Sequence, residues 1–207
     1  MSEVKIIKAD YSAVPALSAM FMDAYANNEA MQAALRQDQA ADFAHDAYWR
    51  WAIGEWGLAG GEVYTTAEHD GCVIMRSPGT HQADVMQKME LLAIVTRMMG
   101  SNKIELAKEV CEQMLAVPPL HDCYWLWGLG VSPKGGGKGL ASALIKTVTD
   151  QADNAGKSTY VVASSEKVVK TFERRGFEVL SKSENFPYWF MLRPVQVRSS
   201  GYNPSNT

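Results

Sequence analysis

Leu129-Gly130-Val131-Ser132-Pro133-Lys134-Gly135-Gly136-Gly137-Lys138-Gly139-Leu140-Ala141-Ser142-Ala143-Leu144 sets clustered glycines between a strand-like run and a helix of small residues. Such a junction binds anions. Glycines let the backbone approach a phosphate, and the free N–H groups of the first helical turn point at it, aided by the helix dipole. Lys138 adds a positive charge. Two nucleotide signatures fail on this chain. The dinucleotide pattern GxGxxG, laid on Gly137 and Gly139, meets Ser142 where its third glycine should stand. Gly156-Lys157-Ser158 ends like a Walker loop, yet that loop's first glycine would fall on Gln151 and a helix precedes it where a strand is required. Lys157 reads as a residue of a helix-to-strand turn.

Outward from this stretch the chain alternates. A strand over 123–131 precedes the glycines, and a helix (139–154), a strand (159–163), a helix (167–175) and two strands (177–182 and 188–193) follow. That order predicts an α/β (α+β mixed) domain with at least one parallel strand pair. Upstream, a strand over 4–8 leads to a helix capped by Ser12, and a second helix is predicted over 29–53, dissolving in a loop at Gly54, Gly57, Gly60 and Gly61. Two strands at 62–67 and 72–76 read as a hairpin, with Asp70-Gly71 supplying the positive φ of its turn. Two helices are expected over 84–99 and 103–116, ended by Pro118-Pro119. Met86, Met89, Met98, Met99 and Met114 lie in this segment and suit either helix packing or an adaptable apolar wall. The polar tail, about 199–207, is expected to be mobile.

Composition narrows the function classes. With 207 residues, 47% of them hydrophobic, the chain can bury the core of one compact domain spanning 1–207. A net charge of -3 argues against a broad nucleic-acid surface. The charged N-terminus lacks a secretory apolar run, and the longest apolar stretch, 91–95, falls far below the roughly 20 residues of a membrane span. The expectation is a cytoplasmic protein with no membrane contact, monomeric or homodimeric. Cys72, Cys111 and Cys123 have neither CxxC spacing nor an even count, so buried thiols are expected and neither a disulfide framework nor a metal site.

At this point the residues resemble the GNAT superfamily of acyl-CoA-dependent N-acetyltransferases. Members carry L-x-V-x-P followed by Q/R-x-x-G-x-G/A, and here Leu129-Gly130-Val131-Ser132-Pro133 leads to Gly136-Gly137-Lys138-Gly139-Leu140-Ala141. A second family pattern, N-x-x-A-x-x-F-Y-E-x-x-G-F, is echoed from Ser165 through Phe172-Glu173-Arg174-Arg175-Gly176-Phe177. The resemblance covers about 122–194. It implies a mixed central β-sheet flanked by helices, with the segment of about 80–120 as a helical insertion covering the acceptor side. Residues 188–193 give a narrower likeness to antibiotic-modifying acetyltransferases such as those acting on puromycin. The implied activity moves an acetyl group from acetyl-CoA to a primary amine of a small molecule by direct attack, without a metal. Backbone groups of Leu129, Gly130 and Val131 would then bind the pantetheine arm. Amides of Gly137, Lys138, Gly139, Leu140, Ala141 and Ser142 would cradle the pyrophosphate, and Ser165 and Phe172 would lie along the thioester end.

The chain departs from the family pattern at three positions. Gly136 stands where a Gln or Arg is usual. Phe172 replaces a tyrosine proposed to protonate the departing thiolate, and a glutamate base found in some relatives falls near Trp125. His121, Asp122 and Cys123 are the candidate bases, each with a plainer reading as a surface pair or packed thiol, and Ser164, Ser165 or Tyr160 could supply the proton. Alternation puts Trp125 and Trp127 on one strand face, where they suit either a core or an aromatic acceptor pocket. Three competing readings remain: a non-catalytic acyl-CoA-binding sensor, an acetyltransferase for a peptide or protein amine, and a plain nucleotide-phosphate binder.

Overall fold

The computed structural model describes residues 4–115, 122–184 and 186–196, so the tail and His121 lie outside the described residues. Chain order runs β1 (Ile6–Lys8), α1 (Val14–Tyr25), α2 (Glu29–Ala34), α3 (Ala41–Trp51), β2 (Gly61–Thr66), β3 (Gly71–Arg76), α4 (Val85–Met99), α5 (Ile104–Met114), β4 (Tyr124–Val131), α6 (Leu140–Asn154), β5 (Thr159–Ala163), α7 (Glu166–Glu173), β6 (Glu178–Lys182) and β7 (Trp189–Arg193). The strands form one 7-stranded sheet in the order β1-β2-β3-β4-β5-β7-β6. β4 and β5 pair in parallel and the other neighbours antiparallel, so the expected mixed sheet flanked by helices is what the chain builds.

Hydrophobic patterning explains which strands lie inside. Every residue of β3 is buried, as a continuous apolar run in mid-sheet requires, whereas every residue of β6 at the edge is exposed. One core, containing Phe21, Trp49, Trp56 and Leu91, fills the face under α1 and α3 to α5. A second, containing Leu126, Leu144, Val148 and Phe172, fills the face under α6 and α7. At the far end of α6 a buried ion pair ties it to β7. Arg193 Nη1 and Nη2 donate to the two carboxylate oxygens of Asp153 at 2.8 and 2.7 Å. That bidentate geometry offsets the cost of removing both charges from water.

Three upstream expectations are corrected. The helix predicted over 29–53 is broken: Asp38 binds Arg36 and accepts from the Ala40 amide, which turns the chain between α2 and α3. The glycines after it form no loop at first, because α3 runs on as a π-helix over Ala52–Leu58. Its i→i+5 repeat puts Trp51 and Trp56 in line, and their rings stack at 6.1 Å and 17°. The hairpin is present, but its positive φ falls on His69 (54°) and Gly71 already belongs to β3. Thr66 explains the shift, since its hydroxyl bonds the Asp70 carboxylate and accepts from the Asp70 amide, closing the turn one residue earlier.

Arg76 is buried at the end of β3, its guanidinium 3.9 Å from the Trp56 ring and donating to the Trp56 carbonyl at 2.7 Å. Burial lowers its pKa to about 10. The backbone beside it leaves no room for a side chain at Gly61, where a Cβ would sit 2.0 Å from the Met75 carbonyl oxygen. Gly61→Ala is therefore expected to cost about 3 kcal/mol, in the upper range for overpacked sites. Gly54→Ala, whose Cβ would meet Tyr11 at an ordinary 3.9 Å, is expected to stay within about 0.5 kcal/mol. Urea unfolding of both variants beside the parent checks the contrast.

Candidate active site

The site begins where β4 and β5 part. Their pairing covers Tyr124↔Thr159, Trp125↔Tyr160 and Leu126↔Val161 and then stops. β5 stays with β7 while β4 stays with β3, so the β5-facing edge of β4 beyond Leu126 has no strand partner among the described residues. The register between β3 and β4 also slips here, Ile74 facing Gly128 and Met75 facing Leu126, which leaves Trp127 as the extra residue of a bulge. Strand alternation is interrupted as a result. Trp125, Trp127 and Gly128 all line one cavity, while Leu129 and Val131 pack toward the opposite core.

That cavity has a volume of about 930 Å³. One wall is an aromatic cluster from α1 and α3. Phe21 stacks on Trp49 at 4.2 Å, and Tyr25 and Tyr48 each meet Trp49 at 5.0 Å. The Trp49 indole N–H donates to His45 Nε2 at 2.9 Å, which fixes both rings. The cluster presses on β4, where an added Cβ at Gly130 would lie 2.7 Å from the Phe21 ring. Tyr25 completes the contact by donating its hydroxyl to the Leu129 carbonyl at 3.1 Å. Burial, then Tyr188, pushes the Tyr25 phenol up to about 12, and burial raises Tyr48 and Tyr188 as well, so all three stay protonated donors at neutral pH.

Past Val131 the chain enters the glycine loop. Gly137 and Gly139 both adopt φ 76°, the left-handed region that glycine enters without steric cost, and nothing lies within 4 Å of a Cβ built on either. Gly139 is the N-cap of α6. The first-turn amides of Leu140, Ala141 and Ser142 have no acceptor within the helix. Lys138 lies beside them with its amine 3.5 Å from Asp70. The Ser142 hydroxyl accepts a bond from Arg175. Across the fork, Ser164 and Ser165 line the cavity, and Ser165 caps α7 by accepting from the Val168 amide at 3.3 Å.

The remaining sequence candidates scatter. Phe172 is buried on the other face of the sheet, its ring 5.0 Å from Phe177. Trp125 is buried edge-on to Trp56 and Tyr160. Asp122 is exposed and paired with Lys157, while Cys123 is fully buried with its thiol pushed up to about 11 by desolvation. Both sit at the start of β4, away from the cavity lining. Of the methionines, Met98, Met99 and Met114 line the cavity, and Met86 and Met89 face outward. Sequence reading missed Tyr25 and Tyr48. Their only signal was helical aromatic spacing, which a packed core produces equally well.

Residues 92–193, from within α4 through β7, match the acetyltransferase (GNAT) domain family. The chain belongs to the GNAT superfamily. It is an acyltransferase of that fold. No curated protein sequence matches it significantly. Among solved structures it is similar to an acetyltransferase from Corynebacterium glutamicum described as a histone acetyltransferase and related acetyltransferase. That match has 17% identity and a TM-score of 0.69, covering 95% of this chain and 98% of the other. Arylalkylamine N-acetyltransferase 2 from Aedes aegypti matches at 14% identity and TM-score 0.63 over 94% and 100% of the two chains. A polyamine N-acetyltransferase from Drosophila melanogaster matches at 13% and 0.53 over 92% and 97%. Among the described residues no helix is long and apolar enough to cross a membrane, and no group of three or more His, Cys, Asp or Glu is placed to hold a metal.

His45 makes the aromatic wall of this GNAT protein sensitive to pH. Desolvation by burial holds its pKa below the ordinary value of about 6.5, and the bond from Trp49 requires an unprotonated Nε2. The unfolded chain therefore takes up the proton more readily. Stability is full above about pH 6.5 and falls as the pH drops through the histidine range. His45→Gln keeps an acceptor for Trp49 without titrating. Its melting temperature is expected to fall less than the parent's between about pH 7.5 and pH 5, as read by thermal scans.

Proposed function

We propose that the chain transfers an acetyl group from acetyl-CoA to the primary amine of a small molecule by direct attack on the thioester. The observation that carries this reading is continuity. The unpartnered edge of β4 runs from the mouth of the cavity into the glycine-capped N-terminus of α6. Backbone groups of Leu129, Gly130 and Val131 are assigned to the pantetheine arm, which would add to the free edge as a strand does. The amides of Gly137, Lys138, Gly139, Leu140, Ala141 and Ser142 are assigned to the pyrophosphate. The open space over Gly137 and Gly139 fits a close-approaching anion. Ser165 stands at the thioester end. Phe172 serves this end from beneath, by packing α7 against the sheet.

The acyl donor supplies an activated carbonyl. In the transfer the amine nitrogen forms the new C–N bond, the C–S bond breaks with its electron pair on sulfur, and one N–H proton leaves the amine and neutralises the thiolate. The chain's own contribution is to hold the amine neutral and close. The apolar lining of the cavity disfavours an ammonium ion, and the protonated phenols of Tyr48 and Tyr188 supply hydrogen bonds. A cavity walled by α4 and α5 favours a small acceptor over the amine of a folded protein.

The test is an acetyl-CoA assay with a thiol reagent across primary amines including polyamines, aminoglycosides and puromycin-like compounds, with CoA binding measured by calorimetry. Amine-dependent thiol release is the expected result. CoA binding without release under any amine would return the weight to a sensor. Gly139→Val puts a β-branched side chain into a left-handed backbone and over the cradle, and is expected to weaken CoA binding at least about tenfold. Calorimetry of that variant reads the loss directly.

A further inference from the structure

The cavity's lining is divided by polarity in a way that discriminates between amines. Its depth is aromatic and aliphatic: Trp125 and Trp127 on β4, Tyr48 and Trp49 on α3, Phe186 and Tyr188 between β6 and β7. Met98, Met99, Val110 and Met114 close it from α4 and α5. The charged residues among the described lining are Glu29, Glu166 and Lys167, and all three are exposed, the two glutamates as the first residues of α2 and α7. Among the described residues, charge thus lies at the rim and none lies inside.

We propose that the acceptor is a primary monoamine carried by an aromatic ring on a short alkyl arm, with the ring held between the tryptophans of β4 and the aromatic cluster of α3. This rests on the transferase reading above and names its substrate class. A flat apolar body matches walls of indole and phenol rings, where offset and edge contacts add to simple burial. The methionines let the far wall adapt to the ring's outline. A polyamine fits poorly for the complementary reason. Once its first nitrogen reaches the fork between β4 and β5, its further ammonium groups enter a space into which no described residue brings a carboxylate, and a buried charge without a partner is strongly disfavoured. A peptide amine carries unpaired backbone donors and acceptors into the same apolar space. The hydroxyls of Tyr48 and Tyr188 and the amide of Gln113 provide the few polar contacts needed to orient a ring substituent or the arm.

The experiment measures kcat/KM for the full chain with acetyl-CoA and four acceptors: 2-phenylethylamine, tryptamine, spermidine and diglycine. Binding of 2-phenylethylamine and spermidine without a donor is followed by calorimetry in parallel. Both aryl monoamines are expected to exceed spermidine and diglycine by at least about tenfold in kcat/KM. Met114→Glu, which places a carboxylate on the inner wall at the end of α5, is expected to move the spermidine to 2-phenylethylamine ratio at least about fivefold toward spermidine. Val110→Glu repeats the test from the next turn of α5, and because the readout is a ratio it does not depend on the yield of folded protein. Spermidine or diglycine turned over as well as the aryl monoamines would overturn the assignment and leave acetyl transfer standing. If no amine releases CoA, the transfer reading falls, and binding alone decides this one. Tighter binding of 2-phenylethylamine than of spermidine upholds it, and equal or weaker binding overturns it.

Discussion

One extra residue in β4 governs the arrangement of the site. A regular strand would send Trp127 and Gly128 to opposite faces of the sheet. The bulge at Trp127 puts both on the cavity side and leaves Leu129 and Val131 facing the α6 core. Bulges bend the strand that carries them and raise its local twist. The parallel pairing with β5 ends at Leu126, immediately before the bulge, so the fork and the extra residue are parts of one distortion. Everything downstream inherits it: the free edge, the cavity, and the entry of the chain into the glycine loop.

A fork in the middle of a sheet would be unstable without something held against it, since unpartnered strand groups are costly when buried. The α1 and α3 aromatic cluster does part of this. Phe21 lies against the glycine at 130, where any side chain would force it away, and Tyr25 satisfies the Leu129 carbonyl. Trp49 is the centre of the cluster and is itself held by His45. An aromatic wall that supports the strand and also lines the cavity explains why structure and site share residues here. The same rings that keep β4 bent shape the volume beside it.

The downstream half of this arrangement was legible in the sequence because its determinants are local. Clustered glycines between strand and helix leave few alternatives to a left-handed turn into the N-terminus of α6, and alternation placed Trp125 and Trp127 on one face. The upstream half was not. Gly54 and Gly57 look like loop residues in any window, and only the i→i+5 alignment of Trp51 with Trp56 and the packing of Arg76 on Trp56 make the segment a π-helix. The bulge leaves no mark in the sequence either, since it arises from pairing with β3. The candidate bases at 121–123 rest on residue type beside a strand. Asp122 and Cys123 lie at the strand's start, whereas the fork opens toward its end, and residue type alone cannot tell the two ends apart.

Phe172 and Trp125 look like losses of function when read in line with family patterns, and magnitudes show why they need not be. Positioning an amine beside a thioester is worth roughly 7–11 kcal/mol at best. A positioned general acid or base contributes about 10²- to 10⁴-fold, or roughly 3–5 kcal/mol. An apolar residue at either position gives up the smaller share, and under the proposed transfer both residues serve the larger one. Phe172 packs on Phe177 beneath α7, the helix whose capping serine stands at the fork, and Trp125 is wedged among Trp56 and Tyr160 at the root of β4. A site that relies on positioning needs rigid walls more than it needs titrating groups. The distribution of buried aromatics around the fork meets that requirement.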